Sequence, residues 1–390
     1  MKKRHSIHLL LVAAALLLAT AACTKDELAD GNRLPEEEYY DKGYNLSADG
    51  RTYEVYNANG LLAWNKAVQG NLSLNCTLTD NIDLTGKEWT PIGIDFYNQY
   101  IGTFDGKNHT ITGLTVTGSD RYAGLFGNIG VEGTVKNVVL EGVQITSDNS
   151  SCFVGGVVGL SYGTVENCSV SGSVSSSNSG SRSGSDVGGV VGYQEGGFIT
   201  GCSSSATVKG TVLAGGVAGG TDTGATLTGC YATGSVTLES NGPDTYYAGN
   251  VVGRNRGVST LIACYTTGSV TGSGSGTIYV GGITGFTDGS MTACYHAKGT
   301  VSVSGPDGTI GGVTGRKCNA LYAPVITACY WGSNPDAGVG CNQSDTTGGT
   351  TKVDGANVKW ADAVAQMNAA LSGSGWRYEL TGALPTLKKQ

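Results

Sequence analysis

The sequence predicts an all-β protein that folds as a parallel β-helix, or β-solenoid, with a short helical cap at each end. Glycine supplies 64 of the 390 residues and proline only 7. Helix-rich folds are disfavoured because glycine inside a helix costs roughly 1 kcal/mol relative to alanine, and the glycines lack the period of three that collagen needs. The second observation is a repeat of about 31 residues without any helix-length apolar periodicity.

A five-residue glycine motif marks this repeat. Its seven copies occupy residues 123–127, 155–159, 188–192, 215–219, 249–253, 281–285 and 311–315. Each unit offers three short β segments between turns, and three short strands cannot bury their inner faces alone. Stacked coils bury these faces and pair each backbone with the coils above and below. A β-propeller, the main alternative, needs four strands per blade and usually about 40 residues.

The chain begins with a predicted export signal. Residues 1–22 combine a basic start with an apolar run over residues 9–18 that is too short to span a membrane. The small residues before Cys23 resemble the lipobox of bacterial lipoproteins, in which the cysteine becomes the acylated N-terminus. This resemblance implies that Cys23 carries lipid such as palmitate. Ordinary signal cleavage nearby, with Cys23 incidental, is the alternative.

Residues 23–49 are predicted to form a lipid-anchored acidic linker, because seven carboxylates lie between residues 24 and 41. Lys25-Asp26-Glu27 resembles the surface-export signal of Bacteroidetes lipoproteins and implies an outer-membrane anchor that faces the cell exterior. Without residues 1–22, 21 Lys and Arg stand against 31 Asp and Glu. This acidity argues against a nucleic-acid partner and leaves the lipid as the expected membrane contact.

The rest of the chain divides into three predicted parts. They are an N-terminal cap with the first coils (50–122), the seven repeats (123–335), and a C-terminal loop, amphipathic helix and cap (336–390). Helices are predicted near 59–70 and 360–371, each with its apolar residues on one face. Solenoids need terminal units that close the core, so both helices are interpreted as core lids.

Inside each repeat a bend is predicted to precede an inward-facing residue. The bend positions are Asn137, Asn167, Gly201, Gly229, Ala263, Ala293 and Ala328. Asn and Gly tolerate the left-handed conformation, whereas the three alanines fit it less well. Six of the following residues are predicted to form a buried ladder of thiols: Cys168, Cys202, Cys230, Cys264, Cys294 and Cys329. Their parallel Cβ vectors do not suit disulfides, although oxidation of some neighbours and a Cys318–Cys341 bridge remain open.

The residue after the cysteine should face outward. In the last four repeats it is Tyr231, Tyr265, Tyr295 and Tyr330. Stacked rings on a rigid face present apolar area with polar tips, so this column is the predicted binding stripe for a glycan or a protein partner. The alternative is that the rings only stabilise neighbouring coils.

The repeats resemble those of GLUG-motif proteins, which occur among surface lipoproteins of gut Bacteroidetes. The resemblance rests on Gly-Leu-Phe-Gly at 124–127, on the Gly-Gly-Val-Val-Gly variants, on Gly-Cys-Tyr-Ala-Thr-Gly at 229–234, and on the stretch from 80 to 114. It implies a right-handed parallel β-helix and no established catalytic residue.

Neither a catalytic site nor a metal or cofactor is predicted. Residues 123–335 carry eleven acids, no two of them close in sequence, and the nearest titratable cluster, Asp80, Asp83, Asp105 and His109, favours structural hydrogen bonding. We expect a non-catalytic surface scaffold for adhesion or ligand binding. A carbohydrate-active lyase or hydrolase and an accessory component of a surface complex are the alternatives. Residues 345–347 resemble an O-glycosylation acceptor centred on Thr346.

Overall fold

The structure, a computed structural model, describes residues 41–177, 184–318, 324–343 and 348–390. Within these ranges the chain is a parallel β-solenoid of about eight turns with two short helices. The predicted fold class is therefore confirmed. The predicted signal peptide, Cys23 and Thr346 lie outside the described residues.

Each complete coil passes through four sheets, which we name I to IV in chain order. Sheet I contains Tyr122–Ala123, Phe153–Gly155, Asp186–Gly188, Leu213–Gly215, Thr245–Gly249, Thr277–Gly281 and Asp307–Gly311. Sheet II contains Phe126–Ile129, Val158–Ser161, Val191–Glu195, Ala218–Asp222, Val252–Asn255, Thr284–Thr287, Thr314–Cys318 and Val339–Gln343. Successive strands pair in parallel and in register, so equivalent residues of neighbouring coils form straight columns.

The other two sheets complete the coil. Sheet III contains Tyr44–Leu46, Thr52–Val55, Asn75–Leu78, Thr103–Asp105, Thr134–Lys136, Thr164–Glu166, Phe198–Thr200, Thr226–Thr228, Thr260–Ile262, Ser290–Thr292 and Ile326–Thr327. Sheet IV contains Ile82–Asp83, Thr110–Thr112, Thr115–Gly118, Val139–Ser147, Ser169–Ser176, Ser203–Ser204, Thr207–Gly210, Tyr231–Ala232, Val236–Ser240, Tyr265–Thr266, Val270–Gly274, Tyr295–His296, Val301–Ser304, Cys329–Trp331 and Thr350–Lys352. An antiparallel hairpin, Trp376–Glu379 with Thr386–Lys389, follows.

The coil has more strands than the three predicted, because the glycine motif is a corner rather than one strand. In the second copy, Gly155 ends a strand of sheet I and Val158 begins the next strand in sheet II. Close backbone approach explains the glycines. A Cβ atom added at Gly188, for example, would collide with the carbonyl oxygen of Val191. The chain can therefore turn sharply between sheets I and II only where side chains are absent.

The second predicted bend, between sheets III and IV, has the expected conformation. All seven positions have φ between 49° and 67°. The alanines adopt it too, although a side chain in this region costs roughly 1–2 kcal/mol. Neighbouring coils hold them there, since the amide of Ala263 donates to the carbonyl of Thr292 and that of Ala293 donates to the carbonyl of Thr327. Tertiary pairing thus overrides the local preference that made these alanines doubtful.

The two helices cap the solenoid in different ways. Helix α1, Ala58–Val68, joins the interior core through Leu61, Trp64 and Val68, and the Trp64 ring packs against three core aromatic rings. Helix α2, Trp360–Ala370, buries Ala363 and Met367 in a separate cluster outside the sheets. The N-terminal helix is thus a lid on the interior, and the C-terminal helix covers an outer face.

Candidate ligand-binding groove

The outward side chains of sheets I and II face each other across the glycine corner. On the sheet I side one column runs through Tyr122, Phe153, Asp186, Leu213, Tyr247 and Tyr279. On the sheet II side the opposing column runs through Leu160, Tyr193, Gly220, Arg254, Phe286 and Arg316. We call the space between these two columns the corner groove. The sharp turn of the glycine motif is what brings its two walls together.

Aromatic rings line both walls of the corner groove and touch across it. The rings of Tyr122 and Phe153 stack with centroids 5.7 Å apart, and Phe153 meets Tyr193 edge-on at 5.7 Å. Further along, Tyr247 lies 5.2 Å from the ring of Phe286. Such surfaces offer apolar area with polar edges, a combination that suits the faces of sugar rings.

Arginines are placed among these rings. The guanidinium of Arg316 lies 5.2 Å from the ring centroid of Tyr279 and 5.8 Å from that of Phe286. Near the other end, Arg121 lies 5.5 Å from the Tyr122 ring. Cation–π contact of this kind holds the guanidinium plane in a fixed orientation. The groove therefore presents positive charge on a protein whose net charge is −7.

The middle of the corner groove holds a cavity of about 380 Å³, lined in part by Phe153, Asp186, Leu213, Tyr246 and Arg254. Burial raises the pKa of Asp186 to about 7, and the charge of Arg254 opposes this shift only in part. A carboxyl group with that pKa exchanges its proton near neutral pH, which is the property a general acid or base requires.

Tyr193 occupies the space beside this cavity because the next coil has glycine at the facing position. A Cβ at Gly220 would lie 2.6 Å from the Tyr193 ring. The Tyr193 hydroxyl donates to Asp222 at 3.4 Å, and Arg256 lies 3.6 Å from the same carboxylate. Burial raises the pKa of Tyr193 to about 12, so its hydroxyl remains a hydrogen-bond donor.

The aromatic lining continues toward the N-terminal coils. Phe96 contacts Tyr162 at 6.1 Å and Tyr97 at 5.5 Å, and Tyr97 is 90% exposed. The loop that carries them is ordered by Asp95, whose side chain accepts hydrogen bonds from the amides of Tyr97 and Asn98. The exposed ring of Tyr97 thus stands at one end of the groove.

The corner groove was not among the sequence predictions, although the sequence contains a signal for it. One wall is the residue two positions before the first glycine of each motif, as in Tyr247 and Tyr279. The other wall is the residue directly after the last glycine, as in Tyr193, Arg254 and Phe286. Large or charged residues recur at both places. The signal is readable only once the motif is known to be a corner.

The predicted tyrosine stripe is outward-facing but largely covered. The rings of Tyr231, Tyr265 and Tyr295 stack with centroids 4.9 and 5.1 Å apart. Tyr295 is fully buried and Tyr330 is 6% exposed, whereas Tyr231 and Tyr265 are half-buried. The prediction of a four-residue exposed stripe is therefore wrong for Tyr295 and Tyr330.

The C-terminal segment is what covers the stripe. Tyr378 packs edge-on against Tyr265 and Tyr295, and its hydroxyl donates to the carbonyl of Ala293 at 3.0 Å. Met367 of α2 belongs to the same cluster. The end of the column at Tyr231 borders a cavity of about 240 Å³, to whose lining serine contributes more residues than any other type. The column chiefly supplies a docking site for the protein's own C-terminus.

The six predicted ladder cysteines are all buried and all free thiols. Each follows a left-handed bend, and each Sγ donates to the carbonyl two residues earlier, as from Cys230 to Thr228 at 3.5 Å. Burial raises the pKa of the Cys202, Cys230 and Cys294 thiols well above the usual value. Cys318 and Cys341 are unbridged, and in the strand register Cys318 pairs with Gln343.

The acidic cluster near the N-terminal coils has structural contacts. Asp105 forms ion pairs with Lys107 at 3.3 Å and Lys136 at 3.7 Å and accepts a hydrogen bond from Asn137. Burial alone would raise the pKa of Asp105, but hydrogen bonds from Asn137 and Lys107 hold it below its usual value. Among the described residues, His, Cys, Asp and Glu nowhere gather in threes as a metal ion would need.

Residues 151–175 and 183–209 match the protein family described as the GLUG motif. The fold is thus a parallel β-solenoid, and two segments of its repeat region match the GLUG motif. Within the described ranges, neither helix has the length and apolarity needed to cross a membrane.

The chain is similar to several known proteins, of which three are described. Over 94 residues it is 40% identical to a protein of Evansella cellulosilytica provisionally named as a Gly-rich membrane protein, a match that covers 24% of this chain and 11% of the relative. Over 108 residues it is 36% identical to halomucin of Haloquadratum walsbyi, covering 25% of this chain and 1% of that protein. The chain thus spans only a small part of both relatives.

The third is a crystal structure from Bacteroides ovatus, provisionally described as an immunoglobulin A1 protease. It has a TM-score of 0.52 and 18% sequence identity, with 88% of this chain and 93% of that chain covered. At this identity the likeness concerns the fold alone.

Proposed function

We propose that the protein is a non-catalytic surface scaffold that binds a glycan chain along the corner groove. The observation that carries this proposal is the pair of facing columns, in which Phe153 meets Tyr193 and Tyr247 meets Phe286 in a row of rings parallel to the stacking direction. Aromatic rings on rigid strands give contact area at a low cost in conformational entropy. A host or bacterial surface protein is the other ligand to test.

The proposal includes the location. The lipid at Cys23 would hold the solenoid on the outer membrane, facing the exterior, with the acidic linker as a tether. The name of the Evansella relative, a Gly-rich membrane protein, supports membrane association. Labelling cells with a palmitate analogue and adding protease to intact cells would test this. A Cys23→Ser variant should lose the label, and protection from protease would contradict surface exposure.

Binding can be tested with the mature chain carrying Cys23→Ser on an array of glycans and host proteins. A glycan hit should weaken at least tenfold in Phe153→Ala or Tyr247→Ala, because each removes one ring of the groove. Tyr231→Ala is the matched control, since it removes a half-buried ring from the other face. Equal loss in the control, or none in the groove variants, would contradict the proposal.

A second candidate function is a carbohydrate-active enzyme, and the protonation behaviour of Asp186 favours testing it. A carboxyl with a pKa of about 7 beside Arg254 has the properties of a general acid or base. Incubating each bound glycan with the protein and analysing chain length by mass spectrometry would decide. Cleavage that disappears in Asp186→Asn would replace the non-catalytic proposal with a catalytic one.

A further inference from the structure

Two arginines lie two coils apart on the sheet II wall of the corner groove. Arg254 pairs in register with Phe286, which pairs in turn with Arg316. Neighbouring coils lie about 4.8 Å apart, so the two arginine positions are separated by about 10 Å along the groove. Tyr247 on the opposite wall interacts electrostatically with both arginines. The order along the groove is thus cation, ring, cation.

These guanidinium groups retain unused hydrogen-bonding capacity. Arg316 donates to Gln343 at 2.6 Å, but the described residues supply neither an ion pair for Arg316 nor a hydrogen-bond acceptor for its buried Nε. The Nε of Arg254 is likewise buried without a partner in the described part of the chain. The two Nε atoms are closed to solvent, but both arginine side chains are partly exposed, and the outer fork of a guanidinium group matches a carboxylate in geometry and charge.

The acidic residues around the groove determine which of the two arginines should contribute more to the binding of an anionic ligand. Asp186 faces Arg254 and offsets its charge. Asp222 is engaged by Arg256 and by the Tyr193 hydroxyl. Arg316 has rings as its main neighbours. An anionic ligand should therefore depend most strongly on Arg316.

We infer that the groove takes an acidic polysaccharide whose carboxylates recur at every second sugar. Successive carboxylates would bind Arg254 and Arg316, and the sugar between them would stack near Phe286. A single sugar spans about the same length as one coil step, so a two-sugar period fits the two-coil spacing. This inference rests on the proposed function, because it specifies the ligand of the same groove.

Three ligands that differ in their carboxylates test this inference separately from the proposed function. Hyaluronan oligosaccharides carry a carboxylate on every second sugar, oligogalacturonates carry one on every sugar, and carboxyl-reduced hyaluronan carries none. Calorimetry with the mature chain should give binding to hyaluronan about tenfold tighter than to its reduced form. Oligogalacturonate should bind more weakly than hyaluronan because its intervening carboxylate meets Phe286.

Substitutions of single cations show which residue causes the preference for charged hyaluronan. Arg316→Gln should abolish the preference for the charged form while leaving binding to the reduced form unchanged. Arg316→Lys should keep part of the preference, because the charge remains but the planar fork is lost. Lys209→Gln is the matched control, since it removes one positive charge from sheet IV, where Lys209 pairs with Glu239. Circular dichroism of each variant checks that the solenoid is intact.

The outcomes are distinguishable. Equal affinity for charged and reduced hyaluronan, or a preference that survives Arg316→Gln, overturns the inference but leaves glycan binding in the groove intact. Tighter binding of oligogalacturonate overturns the two-sugar spacing. Absence of binding to both hyaluronan forms also overturns the inference, and the array then decides the proposed function separately.

Discussion

The protein carries two outward aromatic columns, and only one of them is covered by its own chain. On sheet IV, the stacked tyrosines end beneath Tyr378 and α2, where Tyr295 is fully buried. In the corner groove, Phe153, Tyr247 and Phe286 are half-buried. The rings of Tyr122, Tyr193 and Tyr279 are at most 9% exposed, but they pack against the facing wall rather than against a C-terminal segment. The same residue type thus serves folding on one face and is available for binding on the other.

The two faces also differ in the hydrogen-bond partners of the polar groups beside the rings. The Tyr295 hydroxyl donates to the carbonyl of Pro385, and the Tyr378 hydroxyl donates to the carbonyl of Ala293. On the covered face, these two tyrosine hydroxyls therefore have hydrogen-bond acceptors within the protein itself. In the groove, the donors of Arg254 and Arg316 include buried atoms without a partner in the described ranges. Ring stacking is common to both faces, and the groove adds guanidinium groups that lie against its rings.

The largest expected effect is on the covered column. Tyr378→Ala should lower the free energy of unfolding by about 3–5 kcal/mol, because it leaves a cavity between α2 and the tyrosine stack. The comparison variant Phe286→Ala removes a half-buried groove ring and should cost only about 1–2 kcal/mol. Urea denaturation followed by circular dichroism measures both values. Equal losses would mean that the two columns do not differ in structural role.

Next in size is a pH effect at His296, beside the covered column. Its Nε2 donates to the carbonyl of Gly268, its Nδ1 accepts from Ser333, and burial lowers its pKa from 6.5 to about 4. Between these pH values only the unfolded chain takes up the proton. Stability therefore falls as pH drops from 6.5 to 4, by up to about 3 kcal/mol.

Asp186 in the groove should act with the opposite sign. Its folded pKa of about 7 lies above the unfolded value of 3.8, so its protonation favours the folded state and that contribution is lost as pH rises from 3.8 to 7. Unfolding free energies at pH 4, 5.5 and 7 test both groups. His296→Gln should leave stability falling with rising pH, and Asp186→Asn should leave it rising. Identical profiles in the two variants would contradict the assignment.

A smaller effect is expected where the C-terminal hairpin meets a bend glycine. A Cβ at Gly229 would collide with the Trp376 ring, whereas at Gly201 the same ring is 3.7 Å away and the close neighbour is the side-chain oxygen of Asn167. Both glycines have positive φ, so alanine at either position should cost about 1 kcal/mol. Only Gly229→Ala should also displace the hairpin. Faster limited proteolysis after residue 358 in that variant, relative to Gly201→Ala, is the measurement, and equal rates would refute the contact.

The last prediction concerns reactivity and leaves stability unchanged. The ladder thiols lie inside the solenoid and are closed to reagents, and burial also raises the pKa of the Cys202, Cys230 and Cys294 thiols, which suppresses their reactive thiolate. Cys318 and Cys341 are only partly buried, on sheet II. Native protein treated with DTNB should be labelled at these two sites and at the ladder only in urea, as peptide mapping can determine. Rapid native labelling of Cys230 would show that the interior opens readily.

The sequence was sufficient for features that repeat. Cys202 and Cys230 could be placed in one buried column because each follows a bend residue at the same point of its unit. The sequence could not predict that Tyr295 is covered by the C-terminal segment. Its partner Tyr378 lies 83 positions away, outside the periodic part of the chain. The corner groove was missed for another reason. With the glycine motif read as one strand, the residues on either side of it do not face each other.

The corner motif has a consequence for how such proteins diversify. Its glycines fix the turn, while the two flanking positions point into the groove and pack little against the interior. In successive coils these positions hold residues as different as Asp186, Leu213 and Tyr247 on one wall. Under the proposed function, substitutions at these positions would change ligand preference while the glycines that form the turn stay the same. Duplication of one repeat would then add one coil step to the groove, so gene-level copy number would set its footprint on the ligand.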